Sequence, residues 1–274
     1  MKTVMLERLL PGFCEKLCQE GKAERTIKKY VRDAQHFLIY ARSTGVVERE
    51  TVREYAEILR MRCRASTCNS YLISINAFFT YMGHKELCIP LFQMQRRYSR
   101  EHELTTENYR SMLAALERDG KWESFLILRT LGRTGIRVGE LSSVTREAAE
   151  RGWAEIQMKG KLRQVFLPRE LCEELIHFCA GEEGPIFRSR DGRSAVNSAV
   201  VWRRLKSAAR RAGVEEARVY PHNLRHMFAR VYMETYGNIM ELADILGHSS
   251  IETTRIYTRT TSAELIRRVD GLPL

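Results

Sequence analysis

No run of apolar residues in this 274-residue sequence approaches the roughly 20 needed to cross a bilayer, which excludes the helical membrane-spanning class. A secretory core is missing too, because Glu7 and Arg8 interrupt the apolar residues of MKTVMLERLLPGF, and the expected location is the cytoplasm. Zinc and dithiol spacings are also wanting. The seven cysteines, Cys14, Cys18, Cys63, Cys68, Cys88, Cys172 and Cys179, are odd in number and contain no C-x-x-C pair, a pattern of reduced thiols. Cys172, His177 and Cys179 come nearest to a metal set. They fall in an amphipathic helical stretch, where cysteine serves as a small apolar residue. No carboxylate cluster of the two-metal nuclease kind is apparent, so neither metal nor cofactor is expected. Internal repeats and low-complexity segments are absent.

Positive charge is what the sequence has in excess: 45 basic against 34 acidic residues, a net +11. Residues 1–98 carry 17 basic and 10 acidic side chains, and residues 99–274 carry 28 and 24, so the first part is the more basic per residue. Most of the charge is Arg, whose planar fork matches phosphate oxygens two at a time. The balance favours nucleic acid over an acidic membrane surface as partner.

Apolar spacing predicts a mainly α protein with one small antiparallel β-sheet. Residues 1–83 read as a four-helix bundle, with its clearest helices at 24–43, 49–62 and 66–82. Residues 84–103 lose periodicity, contain Pro90 and gain Arg96, Arg97 and Arg100, which predicts a basic linker. A second domain, 104–274, begins with Thr105 or Thr106 as a helix cap and continues in helices at 121–132 and 136–144. Two strands, from Trp153 and from Arg163, are expected to join across Lys159-Gly160-Lys161-Leu162. Helices follow at 169–180, 194–212, 221–236, 238–247, 250–257 and 261–269.

Three sequence features carry chemistry. Pro221-His222-Asn-Leu-Arg225-His226 places His222 and Arg225 three positions apart, on one helix face, where both can meet one phosphate. Thr134-Gly135-Ile-Arg137-Val-Gly139-Glu140 sets an Arg between glycines at a helix start, where backbone amides also favour anions. Leu246-Gly247-His248-Ser249 then leads to Thr253-Thr254-Arg255-Ile-Tyr257. Singly, each of these residues is as readily a surface or packing residue.

Taken in order, Arg137, a hairpin lysine, His222-x-x-Arg225, Gly247-His248 and Tyr257 resemble the catalytic domain of the tyrosine recombinases, the phage integrase family. The resemblance runs from about Leu104 to the end, and the N-terminal part looks like the SAM-like core-binding domain of that family. The segment before the first helix is too short for an arm-binding domain, so a two-domain, Xer-like or transposon-type plan is expected. The resemblance implies that Tyr257 attacks a DNA phosphate, leaving a 3′-phosphotyrosine and a free 5′-hydroxyl. Arg137, Arg225, His222 and His248 would hold the phosphate. The hairpin lysine would protonate the leaving 5′-oxygen; Lys159 precedes the turn glycine, and Lys161 is the second candidate. Glu140 reads as a buttress to the site. Implied partners are double-stranded recombination sites, a tetramer on two duplexes passing through a Holliday junction, and accessory DNA-binding factors, with a nucleoid-associated location. The tail, 261–274, would dock on a neighbouring protomer or on its own domain. Arg96, Arg97, Arg100, Arg203 and Arg204 are candidate phosphate contacts. One departure is Arg259, where the family often has His.

Two other readings stay open at this level. Residues 240–259 also resemble a helix-turn-helix, with Gly247 in the turn, which suits a regulator without catalysis. That reading leaves the Arg137 region, the lysine hairpin and His222-x-x-Arg225 unexplained. Type IB topoisomerases use a similar tyrosine and basic site, with relaxation in place of strand exchange.

Overall fold

Five helices form in the first hundred residues of a computed structural model that describes residues 3–93, 103–158, 161–248, 251–254 and 270–271. They are α1 (Thr3–Glu7), α2 (Leu10–Gln19), α3 (Glu24–Ala41), α4 (Arg49–Arg62) and α5 (Ala65–Tyr81). One more helix forms than the four expected. Pro11 sits in the first turn of α2, where its missing N–H costs nothing, so the chain restarts there and α1 is left as a short separate helix. Phe13, Phe37, Phe78 and Phe79 fill the bundle centre, with edge-to-face contacts of 5.2 Å between Phe13 and Phe78 and 5.6 Å between Phe37 and Phe79.

Among the described residues of this bundle one charged group is buried. Asp33 of α3 accepts from Lys29 Nζ at 2.5 Å and from Ser74 Oγ of α5 at 2.9 Å, which ties the two helices by a satisfied polar network. The stretch after α5 also belongs to the bundle. Leu87 and Ile89 are buried in its core. The Asn76 amide donates to Ile89 O at 2.9 Å, and the Asn69 amide bonds both the carbonyl and the N–H of Phe92, at 2.9 and 2.8 Å. Loss of helical periodicity at 84–93 therefore marks a change of conformation, with packing retained. Arg96, Arg97 and Arg100 lie outside the described residues.

The chain divides into two compact units, Met1–Tyr98 and Ser99–Leu274. In the second, α6 (Thr106–Arg118) starts where the Thr105 hydroxyl accepts from Asn108 N at 3.1 Å. Next comes α7 (Trp122–Thr134), with Phe125, Leu126, Ile127, Leu128 and Leu131 all buried, so it is the central helix of this unit. A 3₁₀ segment, Val138–Ser143, stands within the helix expected over 136–144. Then follow α8 (Arg146–Arg151) and the hairpin β1 (Trp153–Met158) and β2 (Lys161–Phe166), paired antiparallel from Trp153 opposite Phe166 to Met158 opposite Lys161. The inner face of the hairpin, with Ala154, Ile156 and Val165, joins the core.

Helices α9 (Arg169–Phe178), α10 (Ser198–Arg211), α11 (Pro221–Tyr236), α12 (Ile239–Leu246) and α13 (Ile251–Thr254) complete the unit. Cys172 and Cys179 are buried in its core while His177 is exposed, consistent with apolar roles for the two thiols. The expected tail helix, 261–269, falls outside the described residues. Among the described residues no helix is long and apolar enough to cross a membrane.

Candidate active site

Arg225 is only 2% exposed, the largest fully buried side chain among the described residues. It belongs to α11, which buries Leu224, Met227 and Ala229 beside it. Its Nη1 donates to Gly135 O at 2.8 Å and its Nη2 to Leu246 O at 2.6 Å. Those carbonyls close α7 and α12, and helix ends of that polarity favour a cation. Both helices stop at a glycine in the left-handed region, Gly135 (φ +63°) and Gly247 (φ +62°). At Gly135 a Cβ would also come within 2.5 Å of the Phe228 ring. The fold therefore holds the guanidinium between two helix ends.

Arg137 follows Gly135 in extended conformation and leads the 3₁₀ segment. Glu140 folds back on it: Oε2 accepts from Arg137 N at 2.7 Å and Oε1 from Arg137 Nη1 at 2.9 Å. The two contacts form a capping box, which closes the start of the segment on Arg137. A second arginine shares the carboxylate, with Arg163 Nη2 at 2.6 Å from Glu140 Oε2. Arg163 Nη1 donates to Ile245 O in the last turn of α12. Arg163 is the residue that sequence reasoning missed. Its signal was alternation: it shares the inward face of β2 with Val165, opposite Ile156, where a charged residue needs a partner.

Three imidazoles stand in the field of these arginines. His222 is exposed in the first turn of α11, yet partial burial, then Arg225 and Arg137, hold it below the usual histidine range. His226 packs on it edge to face at 4.3 Å and is pushed down to about 4, chiefly by burial. His248, immediately after Gly247, is also held at about 4 by burial and by Arg225, Arg137 and Arg163, and its Nδ1 lies 2.8 Å from Thr254 Oγ1. At neutral pH all three are neutral, so each ring nitrogen can accept or donate one hydrogen bond.

A pH dependence of stability follows. Unfolded histidine titrates near 6.5, while His226 and His248 are held at about 4. Between these values the unfolded chain binds protons that the folded chain refuses, so stability is fullest above the upper value and falls as pH drops toward the lower. With solvent screening at these partly buried rings, the expected loss is about 2 kcal/mol. Urea midpoints from pH 7 to 4.5 check it. The H226N/H248N variant should lose less than wild type over that range, and parallel curves would refute the assignment.

The structure thus brings Arg137, Glu140, Arg225, His222 and His248 together around the ends of α7 and α12 and the start of α11. Lys159 and Tyr257 lie outside the described residues, and Lys161 opens β2 opposite Met158. Arg203 and Arg204 stand apart from this cluster, on α10. They line a cleft of about 610 Å³ with Lys121, Arg190 and Arg211, and Arg204 is paired with Glu123 at 2.6 Å. Among the described residues no three His, Cys, Asp or Glu side chains are grouped to hold a metal ion. What the cluster offers is fixed positive charge beside neutral imidazoles, which suits a phosphate whose charge grows during reaction.

Comparison with known proteins agrees in sequence and in fold. The chain is 28% identical over 278 residues to tyrosine recombinase XerA of Pyrococcus furiosus, covering 98% of this chain and 95% of that one. With tyrosine recombinase XerD of Shewanella oneidensis it shares 27% over 289 residues, covering 96% of each. Its fold matches the XerH site-specific recombinase bound to difH substrate, with a TM-score of 0.73 at 17% identity, over 100% of this chain and 97% of that chain. It also matches the lambda integrase of a tetramer bound to a Holliday junction, with a TM-score of 0.70 at 18% identity, over 94% and 79%. Residues 102–264, which hold every member of the cluster, match the model of one family, and the chain belongs to the phage integrase family.

Proposed function

We propose that this protein is a tyrosine-type site-specific DNA recombinase. Tyr257 attacks the scissile phosphate, forms a 3′-phosphotyrosyl bond and releases a 5′-hydroxyl. A 5′-hydroxyl from a second duplex then reverses the step, so the phosphodiester bond energy is conserved. The observation that carries the reading is the joint placement of Arg137, Arg225, His222 and His248, residues distant in sequence, with Arg225 buried between two helix ends.

In the pentacoordinate transition state negative charge builds on the non-bridging oxygens. Arg137 and Arg225 stabilise that charge more than the ground state, which accelerates the step. His222 and His248, neutral at rest, add hydrogen bonds or carry protons. Lys159 protonates the leaving 5′-oxygen, with Lys161 as the alternative donor. Glu140 aims Arg137. Residues 1–83 act as the core-binding domain, residues 84–103 as a basic linker, and residues 104–274 as the catalytic domain with a tail helix. Four protomers exchange strands between two duplexes through a Holliday junction, at DNA in the cytoplasm and with accessory factors where a site requires them. Arg96, Arg97, Arg100, Arg203 and Arg204 serve as phosphate contacts.

The helix-turn-helix reading of residues 240–259 accounts for less. The turn at Gly247 is anchored by two arginines, Arg225 through Leu246 O and Arg163 through Ile245 O, a construction a reading helix does not need.

The test is a nicked suicide duplex bearing the cognate site, incubated with the full chain and run on a denaturing gel. A covalent adduct mapped by mass spectrometry to the Tyr257 peptide, and formed equally in EDTA, is expected. Specific binding with no adduct would instead support a regulator. Salt dependence gives a second check: a protein clamping six or more phosphates should lose about 10³-fold or more in affinity between 50 and 200 mM salt. A shallow slope would contradict the clamp.

A further inference from the structure

Arg163 is not among the residues whose order carries the family resemblance, yet its side chain touches both the carboxylate that holds Arg137 and the turn that precedes His248. Its Nη2 lies 2.6 Å from Glu140 Oε2, the same oxygen that accepts from Arg137 N at 2.7 Å. Its Nη1 donates to Ile245 O, at the end of α12. Its stem lies against Gly247, where any Cβ would come within 2.5 Å of Arg163 Cδ. Its backbone belongs to β2, which begins at Lys161.

This arrangement is costly. The Arg163 side chain is 13% exposed, and burial and the neighbouring Arg137 both push its pKa down against the pull of Glu140. A well-packed apolar residue would stabilise such a place as well or better. What an apolar residue cannot do is fix two acceptors from different segments with one rigid fork.

Resting on the recombinase reading above, the geometry points to Arg163 as a positioning residue for DNA cleavage. Through Glu140 it sets the direction of the Arg137 fork, and through Ile245 and Gly247 it sets the turn that presents His248. It need not touch DNA. A clamp aimed wrongly by about 1 Å costs on the order of 10²-fold in rate, with little change in binding.

The test uses the full chain with Arg163→Met, Arg163→Lys, Glu140→Gln and the double variant R163M/E140Q. Adduct formation is measured in single turnover on the suicide duplex, with gel-shift affinity and melting in parallel. R163M should cleave about 10²-fold more slowly while binding its site within about threefold. The double variant should be no more than about threefold slower than the slower single variant, because both break one support. R163K should recover part of the rate. On a duplex whose scissile phosphate is a methylphosphonate, which places less charge on the Arg137 fork, the R163M deficit should shrink to about tenfold or less.

Effects that multiply in the double variant, or a deficit equal on both duplexes, would overturn the inference. If R163M does not fold, R163K compared on the two substrates decides the matter alone. Absence of any wild-type adduct counts against the recombinase reading, whereas a normal wild type with normally cleaving Arg163 variants counts against this inference only.

Discussion

Tyr257→Phe should abolish covalent adduct, lowering cleavage on the order of 10⁴-fold or more, while leaving affinity for a single site within about twofold. The substitution removes one oxygen and keeps the ring, so only the nucleophilic atom is lost. Binding rests on many phosphate contacts, of which a phenol hydroxyl is at most one. Free tyrosine titrates near 10, so the hydroxyl must lose its proton during attack, and in the proposed site Arg137 and Arg225 would favour the phenolate. Cleavage by the wild type should therefore persist at neutral pH. Denaturing gels for adduct and native gels for binding, run on the same duplex, separate the two effects. Adduct retained by the Phe variant would place the nucleophile elsewhere, and a parallel loss of binding would show that the ring supports the fold.

Much of this architecture was legible before any coordinates. Helical spacing found α3, α4, α5 and α11 almost to the residue, because their buried faces repeat cleanly and Pro221 marks its own helix start. The hairpin was found from its alternation and its glycine. The second strand begins at Lys161, two residues before the expected Arg163, and two helical boundaries differ for identifiable reasons. The helix expected over 136–144 is a shorter 3₁₀ segment, Val138–Ser143, because so short a stretch of apolar spacing does not distinguish the two helix types. Helix α10 begins at Ser198, four residues later than expected, because Ser194 and Val196 bond back to Ser189 and Phe187 before Asn197 caps the helix.

The site shows the same division. One-turn spacing put His222 and Arg225 on a common face, and flanking glycines singled out Arg137. Spacing carries no information on depth, however, so the burial of Arg225 between two helix ends was invisible. Arg163 is not legible in the sequence because its partners, Glu140 and Ile245, come from separate segments. Partnerships made across the fold leave no periodic trace.

The burial of Arg225 leads to the sharpest separation of stability from chemistry. Arg225→Ala should lower unfolding free energy by about 3–5 kcal/mol, from two stranded carbonyls at Gly135 and Leu246 and a cavity in their place. Arg225→Lys restores the charge and most of the volume but offers no planar fork, so a single ammonium cannot serve both carbonyls and a phosphate oxygen. Its stability should return to within about 2 kcal/mol of wild type. Its cleavage should not: loss of a transition-state oxygen contact costs about 10²–10³-fold, and the lysine variant should remain at least about 10²-fold slow at a temperature where it is fully folded. Urea midpoints and single-turnover adduct rates on the same preparations provide both numbers. A lysine variant that cleaves at the wild-type rate would confine Arg225 to joining α7 and α12. One that folds well and cleaves slowly would show that the guanidinium binding the helix ends also binds the phosphate, so that the same contacts that bury Arg225 also aim it.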